Sequence, residues 1–180
     1  MASLTSMGIV TKKGDGGKTR LLSGESVSKS DPRLFVIGSL DELIATLGLA
    51  RSFAKKDVAA EIKSLQLELM RVASEFSSSG KAGPDLATSQ KDVSRIEENI
   101  RKLETEIKLP QSFVVPGTTA CSSALEIARA VARRVEREAI AVRETGTLEN
   151  ENAFIYLNRL SDYLFLLARR AELLEGAVYE

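Results

Sequence analysis

Histidine is missing altogether from the 180 residues. Its absence removes the Glu-x-x-His pairs of di-iron bundles, the imidazole ligands of catalytic zinc, and Ser-His or Cys-His nucleophilic catalysis. Whatever chemistry the chain performs does not need imidazole. Cys121 is the only cysteine. It cannot close an intrachain disulfide, and with no histidine to activate it, it reads as a small buried residue rather than a nucleophile. Net charge is lacking as well, because 25 Lys plus Arg balance 25 Asp plus Glu. No overall field recruits nucleic acid or an anionic membrane, so an anion site has to be a local cluster. No run approaches the ~20 apolar residues of a membrane span, and no signal-like apolar segment follows Met1. The expectation is a single domain over residues 1–180 in a reducing cytoplasm, with no nucleic-acid or membrane partner.

The most informative stretch is Thr119–Val142, TACSSALEIARAVARRVEREAIAV. At about 100° per residue, Ala128, Val131, Ala132, Val135, Ala139 and Val142 share one side of a helix, and Arg129, Arg133, Glu136 and Arg137 share another. The alanines admit a close neighbouring helix. The arginines stand at i, i+4 and i+8, where each like pair costs ~0.2–0.5 kcal/mol in isolation. Two readings are open from this stretch alone: a solvated face with Glu136 and Glu138 as intrahelical partners, or a row that meets an anion.

Residues 1–7 read as a loose leader. Gly8–Gly24, GIVTKKGDGGKTRLLSG, has too many glycines and lysines for a helix and is expected to be an extended or looped arm. Gly17-Lys18-Thr19 has the ending of a phosphate-binding P-loop. That motif needs glycine where Lys12 stands and an apolar strand before it, which Ile9 and Val10 do not supply, so a P-loop is excluded. Glycines nevertheless let backbone N–H groups approach oxyanions, and Thr11, Lys12, Lys18, Thr19 and Lys29 add donors and charge. The alternative is a tail with incidental charge.

Asp31-Pro32 signals an N-cap and first helical position, opening a helix to about Ala54 that carries Asp41 and Glu42. Asp57 is placed to cap the next helix, with Ile62, Leu65, Leu69, Val72 and Phe76 at alternating three- and four-residue spacing. Ser77–Thr88 is turn-rich and expected to be mobile. The stripe then returns in Val93, Ile96, Ile100, Leu103 and Ile107, and Leu109-Pro110 ends that helix. QSFVVPG, residues 111–117, is a short rigid joint in which Phe113 is either a lid over the core or an aromatic face for a planar ligand. A last helix over Asn152–Leu174 buries Leu157, Leu160, Leu164 and Leu167 and aligns Asn158, Asp162 and Arg169 on its other side. Five helices with short connections make a bundle over residues 31–174, preceded by an arm over 1–30.

Several stretches taken together carry a resemblance: Thr11-Lys12-Lys13-Gly14-Asp15-Gly16-Gly17; Gly38-Ser39-Leu40-Asp41-Glu42-Leu43; Phe113-Val114-Val115-Pro116-Gly117; Ala128-Arg129 with Arg133-Arg134-Val135-Glu136-Arg137; and Leu157-Asn158-Arg159-Leu160-Ser161-Asp162. In order, and over nearly the whole chain, they resemble the PduO-type ATP:cob(I)alamin adenosyltransferases. The resemblance implies an all-α, ferritin-like five-helix bundle assembled as a homotrimer, with ATP and corrinoid at the subunit interfaces. The implied reaction is attack by Co(I) of cob(I)alamin on the 5′ carbon of ATP, giving adenosylcobalamin and triphosphate. Magnesium would share the leaving-group charge, and a cob(II)alamin-reducing flavoprotein or reduced flavin would supply electrons.

Carried over residue by residue, Thr11, Lys12, Gly14, Thr19 and Lys29 correspond to the segment that wraps the nucleotide. Arg133, Glu136, Arg137 and Asn158 correspond to the remaining ATP contacts, Arg133 being closest to the leaving-group charge. Asp41 and Arg129 match an intersubunit ion pair beside the corrinoid, with Asp162 on the same side. Phe113 matches the aromatic that displaces the lower axial ligand. Val10, Thr118 and Glu126 depart from the usual pattern, where an aromatic, a second glycine and a histidine are frequent; they bear on the shape of the pockets rather than the reaction. A non-catalytic relative that binds ATP or a corrinoid for delivery or sensing is the alternative function, and a purely structural helical module is a third.

Overall fold

Pro32 fixes φ at the first helical position and Asp31 accepts the Arg33 backbone N–H at 3.0 Å, so helix α1 starts where the sequence marks it and runs Pro32–Phe53. The computed structural model describes residues 12, 14–79, 81, 83, 85–109 and 113–177. Strands β1 (Lys18–Arg20) and β2 (Ser26–Ser28) precede α1, and α2 (Lys56–Ser77), α3 (Gln90–Glu106), α4 (Ala120–Glu144) and α5 (Glu151–Glu175) follow it. The leader over residues 1–7 and Thr11 lie outside the described residues.

The expected five-helix bundle is the observed architecture. Around it the helices follow the order α2, α1, α4, α5, α3, and α2 closes back onto α5. Between α2 and α3 the link is ionic, through Arg71–Asp92 at 3.0 Å and Arg95–Glu68 at 3.1 Å. The apolar stripes of α2 and α5 are buried as expected, and Phe76 meets Phe154 edge-on with centroids 6.2 Å apart. The expected loop after α2 is fastened at its far end: buried Glu75 accepts from Thr88 N at 2.8 Å, Thr88 Oγ1 at 2.7 Å and Asn150 Nδ2 at 2.6 Å. This ties residue 88 to the turn between α4 and α5.

Four details differ from the sequence-based expectation. Asp57 is not the cap of α2: Lys55 holds that position without a side-chain bond, and Asp57 lies in the first turn, where its charge faces the positive helix end. Helix α3 stops at Glu106, because Ile107 turns extended (φ −107°, ψ 121°) and closes on Leu103 O at 2.9 Å. The looped arm contains an antiparallel hairpin pairing Lys18 with Ser28, Thr19 with Val27 and Arg20 with Ser26. Strands of three residues are too short to show alternation, and what holds them is burial of Leu21 and Val27. Finally, Arg169 does not join Asn158 and Asp162 in solvent. The first turns of α4 cover that end of α5, and Arg169 is fully buried between Glu172 (2.9 Å) and Glu126 (3.3 Å), with its guanidinium carbon 5.3 Å from the Phe165 ring centroid.

Where the hairpin meets the bundle, hydrogen bonds from Arg33 hold the Glu25 and Asp31 carboxyls below their ordinary range. A carboxylate whose folded pKa is depressed stabilises the fold above its unfolded pKa, and that stability is lost as pH falls through the folded value. Urea-unfolding midpoints should therefore fall below about pH 4.5, and Glu25→Gln with Asp31→Asn should flatten part of that fall. An unchanged acid slope in the double variant would remove these two groups from the acid sensitivity.

Candidate functional site

Helix α4 opens with a capping box in which the Thr119 and Ser122 side chains each take the other's backbone N–H at 3.1 Å. Its buried face, from Cys121 through Ala128, Ala132 and Ala139 to Val142, sits between α1 and α5. The other face therefore carries its arginines outward. Arg129 is half-buried, and Arg133 and Arg137 are exposed. At 1.5 Å per residue, Arg129 to Arg137 spans roughly 12 Å along the helix.

The partners of these arginines divide them. Arg129 donates through Nε to Glu126 Oε2 at 2.6 Å, Arg134 pairs with Glu42 of α1, and Arg143 pairs with Glu151 at 2.6 Å. Arg133 and Arg137 have no carboxylate partner among the described residues; Arg137 Nη1 donates instead to the Arg133 carbonyl at 3.0 Å. Glu136 does not serve them, since its Oε1 accepts from Asn158 Nδ2 of α5 at 2.5 Å. Asn158 Oδ1 in turn accepts from Arg159, whose Nε donates to Glu97 of α3 at 3.1 Å. The structure thus brings Glu136 and Asn158 together and leaves Arg133 and Arg137 as free cations beside them. Of the two intrahelical partners a solvated face would use, Glu138 does stand 4.0 Å from Arg134 Nε, whereas Glu136 is taken by Asn158, and neither pairs with Arg133 or Arg137 among the described residues.

A cleft of about 240 Å³ continues from Glu136 and Asn158 along the α4–α5 groove, past Ile140 and Ile155, to Arg143, which lies over Phe154 at 5.5 Å. These continuing residues were not singled out from the sequence. The signal was present in the spacing: 136, 140 and 143 on α4, and 151, 155 and 158 on α5, repeat at three and four.

In the arm, Gly14 and Lys29 come together, and a β-carbon on Gly14 would lie 3.1 Å from Lys29 Nζ. Lys29 N donates to Gly17 O at 2.9 Å, and Gly17 (φ +75°) and Lys12 (φ +55°) both take left-handed backbone. Thr19 is half-buried on β1, and Lys12, Lys18 and Lys29 point their charge outward. Among the described residues, neither strand touches α4 or α5. Within one chain the described arm residues and the arginine row are therefore apart.

Asp41 and Arg129, implied as an ion pair beside the corrinoid, do not pair within the chain. Arg129 is engaged by Glu126, while Asp41 and Asp162 are exposed and bonded to nothing among the described residues. Phe113 is 101% exposed, so it is not a lid over its own core. Burial pushes the Cys121 thiol up to about 11, which leaves it protonated and without a nucleophilic role at neutral pH. No cluster of three or more metal-ligating side chains occurs among the described residues.

Residues 9–171 match the family model for cobalamin adenosyltransferase. The chain is similar to a corrinoid adenosyltransferase of Citrobacter freundii, at 37% identity over 91% of this chain and 94% of that one. It is also similar to one of Bacillus subtilis, at 36% identity over 91% and 86%. Among solved structures it resembles a phenylalanine-to-alanine variant of the PduO-type ATP:corrinoid adenosyltransferase from Lactobacillus reuteri complexed with cobalamin and ATP. The TM-score is 0.86 and the identity 28%, covering 96% of this chain and 97% of that one, so the match takes in the hairpin as well as the helices.

Proposed function

The chain belongs to the cobalamin adenosyltransferase family, and from that premise we propose that it transfers the 5′-deoxyadenosyl group of ATP to Co(I) of a corrinoid, releasing triphosphate. A Co–C bond forms, the C5′–O bond breaks, and the electron pair leaves on the triphosphate. Co(I) supplies the nucleophile, so a chain without histidine lacks nothing that the step requires. Its work is orientation and stabilisation of leaving-group charge. The observation that supports this best is the pair of arginines, Arg133 and Arg137, exposed and without carboxylate partners among the described residues, while Arg129, Arg134 and Arg143 on the same helix each have one. Arg133 is the residue assigned to the developing charge, and Glu136 with Asn158 to the nucleoside side. Lys12, Gly14, Thr19 and Lys29, with Thr11, are assigned to the arm's wrap around the phosphates. Magnesium would be carried on triphosphate oxygens.

The active unit in this reading is a trimer of single-domain chains in the cytoplasm. Among the described residues the arm and the arginine row do not meet and Asp41 makes no ion pair, and Phe113 projects fully into solvent, so a second subunit completes each site. Among the described residues, no helix is long and apolar enough to cross a membrane. Phe113, presented on the joint before Pro116-Gly117, fills the space beneath the corrin with apolar surface and disfavours a polar lower ligand on Co(II). That eases reduction to Co(I) by a flavoprotein or reduced flavin. Asp41, Arg129 and Asp162 line the corrinoid side.

Incubation with ATP, magnesium and chemically reduced cobalamin should produce the organocobalt spectrum. Arg133→Ala should lower turnover about a hundredfold or more with the fold intact, a loss of ~3 kcal/mol; wild-type rates would return that arginine to a solvated face. Phe113→Ala should weaken the four-coordinate Co(II) signal and slow adenosylation from Co(II). It should leave ATP affinity within about threefold, and an unchanged signal would argue against the proposed role. Sedimentation at micromolar concentration should give the mass of three chains, and a monomer that turns over would overturn the shared-site arrangement.

A further inference from the structure

A guanidinium has five N–H donors in a fixed fork, and Arg33 uses all of them. Nε and Nη2 reach the two oxygens of Asp31 at 2.9 and 2.8 Å. Nη1 and Nη2 reach the two oxygens of Glu25 at 2.9 and 3.1 Å, and Nη1 also donates to Ser79 Oγ at 2.6 Å. Ser79, in left-handed backbone at φ +53°, donates its own hydroxyl to Glu25 Oε2 at 3.1 Å. The Arg33 side chain is 7% exposed, and its partners come from three separate pieces of chain: the turn of the hairpin, the cap of α1 and the turn after α2.

Capping α1 requires only Asp31, whose carboxylate already takes the Arg33 backbone N–H. The second fork, onto Glu25, is not needed by the helix. What it does is fix the hairpin to the bundle. Near it, Leu22 N donates to Ser77 Oγ at 3.0 Å and Ser23 N to Ser77 O at 3.2 Å, so the root of the hairpin is held at several points. Its open end has no such side-chain fork: it is held by burial of Val27 and by the chain running into α1, where Asp31 N donates to Ser28 O at 3.0 Å. Strands of three residues at about 3.3 Å each span about 10 Å, so a shift of the turn, pivoting on the Ser28–Asp31 connection, is carried along the ladder to the tip at Gly14 and Lys29.

We propose that Arg33 is a positioning residue for the nucleotide: it sets the angle at which the hairpin leaves the bundle, and through that angle the affinity for ATP, without touching ATP. The inference rests on the assignment of the arm to nucleotide binding. A misplacement of about 1 Å at the tip is enough to cost a hundredfold in a well-positioned site. Lysine cannot replace the arginine, because a point charge cannot form two bidentate contacts at once.

The test compares the wild-type chain with Arg33→Gln, Arg33→Lys, Glu25→Gln and the Arg33→Gln/Glu25→Gln pair. For each, ATP affinity is measured by calorimetry, amide exchange at residues 18–28 by mass spectrometry, and turnover at varied ATP and corrinoid. Arg33→Gln should weaken ATP binding and raise KM for ATP about tenfold or more, with kcat at saturating ATP and KM for corrinoid within about threefold. The hairpin amides should exchange faster, Arg33→Lys should not rescue, and the double variant should be no worse than Arg33→Gln alone. Glu25→Gln leaves the α1 cap in place and carries the test if Arg33 variants fail to fold: it too should weaken ATP binding and loosen the hairpin. Unchanged ATP affinity in Glu25→Gln or Arg33→Gln, or a lowered melting temperature with no KM change, overturns the proposal. If the wild-type chain binds no ATP, the arm assignment itself fails and the proposal falls with it. Faster hairpin exchange in Arg33→Gln would then still show the residue as a structural anchor, which distinguishes the two failures.

Discussion

The burial of one face of α4 is the constraint from which most of the molecule follows. Its residues Cys121, Ala124, Leu125, Ala128, Ala132, Val135, Ala139 and Val142 lie between α1 and α5 with almost no exposure. Each fully buried Leu or Val is worth about 1.5–3 kcal/mol, against ~0.2–0.5 kcal/mol for each repulsive arginine pair on the opposite side. Packing wins by a wide margin. The arginines are carried outward whatever they cost one another, and small alanines bring the flanking helices close enough for Glu42 and Asn158 to reach across.

Charge is then sorted by depth. At the deep end Glu126, Arg169 and Glu172 form a buried group that continues through Glu126 to Arg129. Such groups add little net stability but are costly to break, since removal of one member leaves charge uncompensated. They fix orientation, and here the oriented group is Arg129. At the exposed end Arg133 and Arg137 have no carboxylate partner among the described residues, which is consistent with the proposed contact to a polyanion. The same division recurs at the hairpin, where buried Arg33 is saturated while Lys12, Lys18 and Lys29 extend into solvent.

The bundle was legible because it rests on local signals repeated over many residues. Stripes at three- and four-residue spacing, Asp31-Pro32 and the Pro116-Gly117 joint mark elements without reference to distant contacts. The arm's extended character was legible but the pairing of its two strands was not, because three-residue strands carry no period and depend on burial of Leu21 and Val27. Nor was the role of Asp57: a side chain suited to capping was displaced because the backbone turned into the helix at Lys55.

The sequence by itself determined a histidine-free helical bundle with a two-faced fourth helix, and its motifs pointed to ATP and a corrinoid. Period and composition need only neighbouring residues to have an effect. Which polar side chains pair was decided by tertiary structure alone. Glu136 turned from the arginines of its own helix to Asn158, Arg169 went into the core rather than solvent, and Arg33 joined its own helix cap to the hairpin turn and to the turn after α2. The physical reason is that a hydrogen bond or ion pair needs its partner within about 3 Å. Partners 22, 43 and 46 residues apart in sequence reach that distance only once the helices have packed.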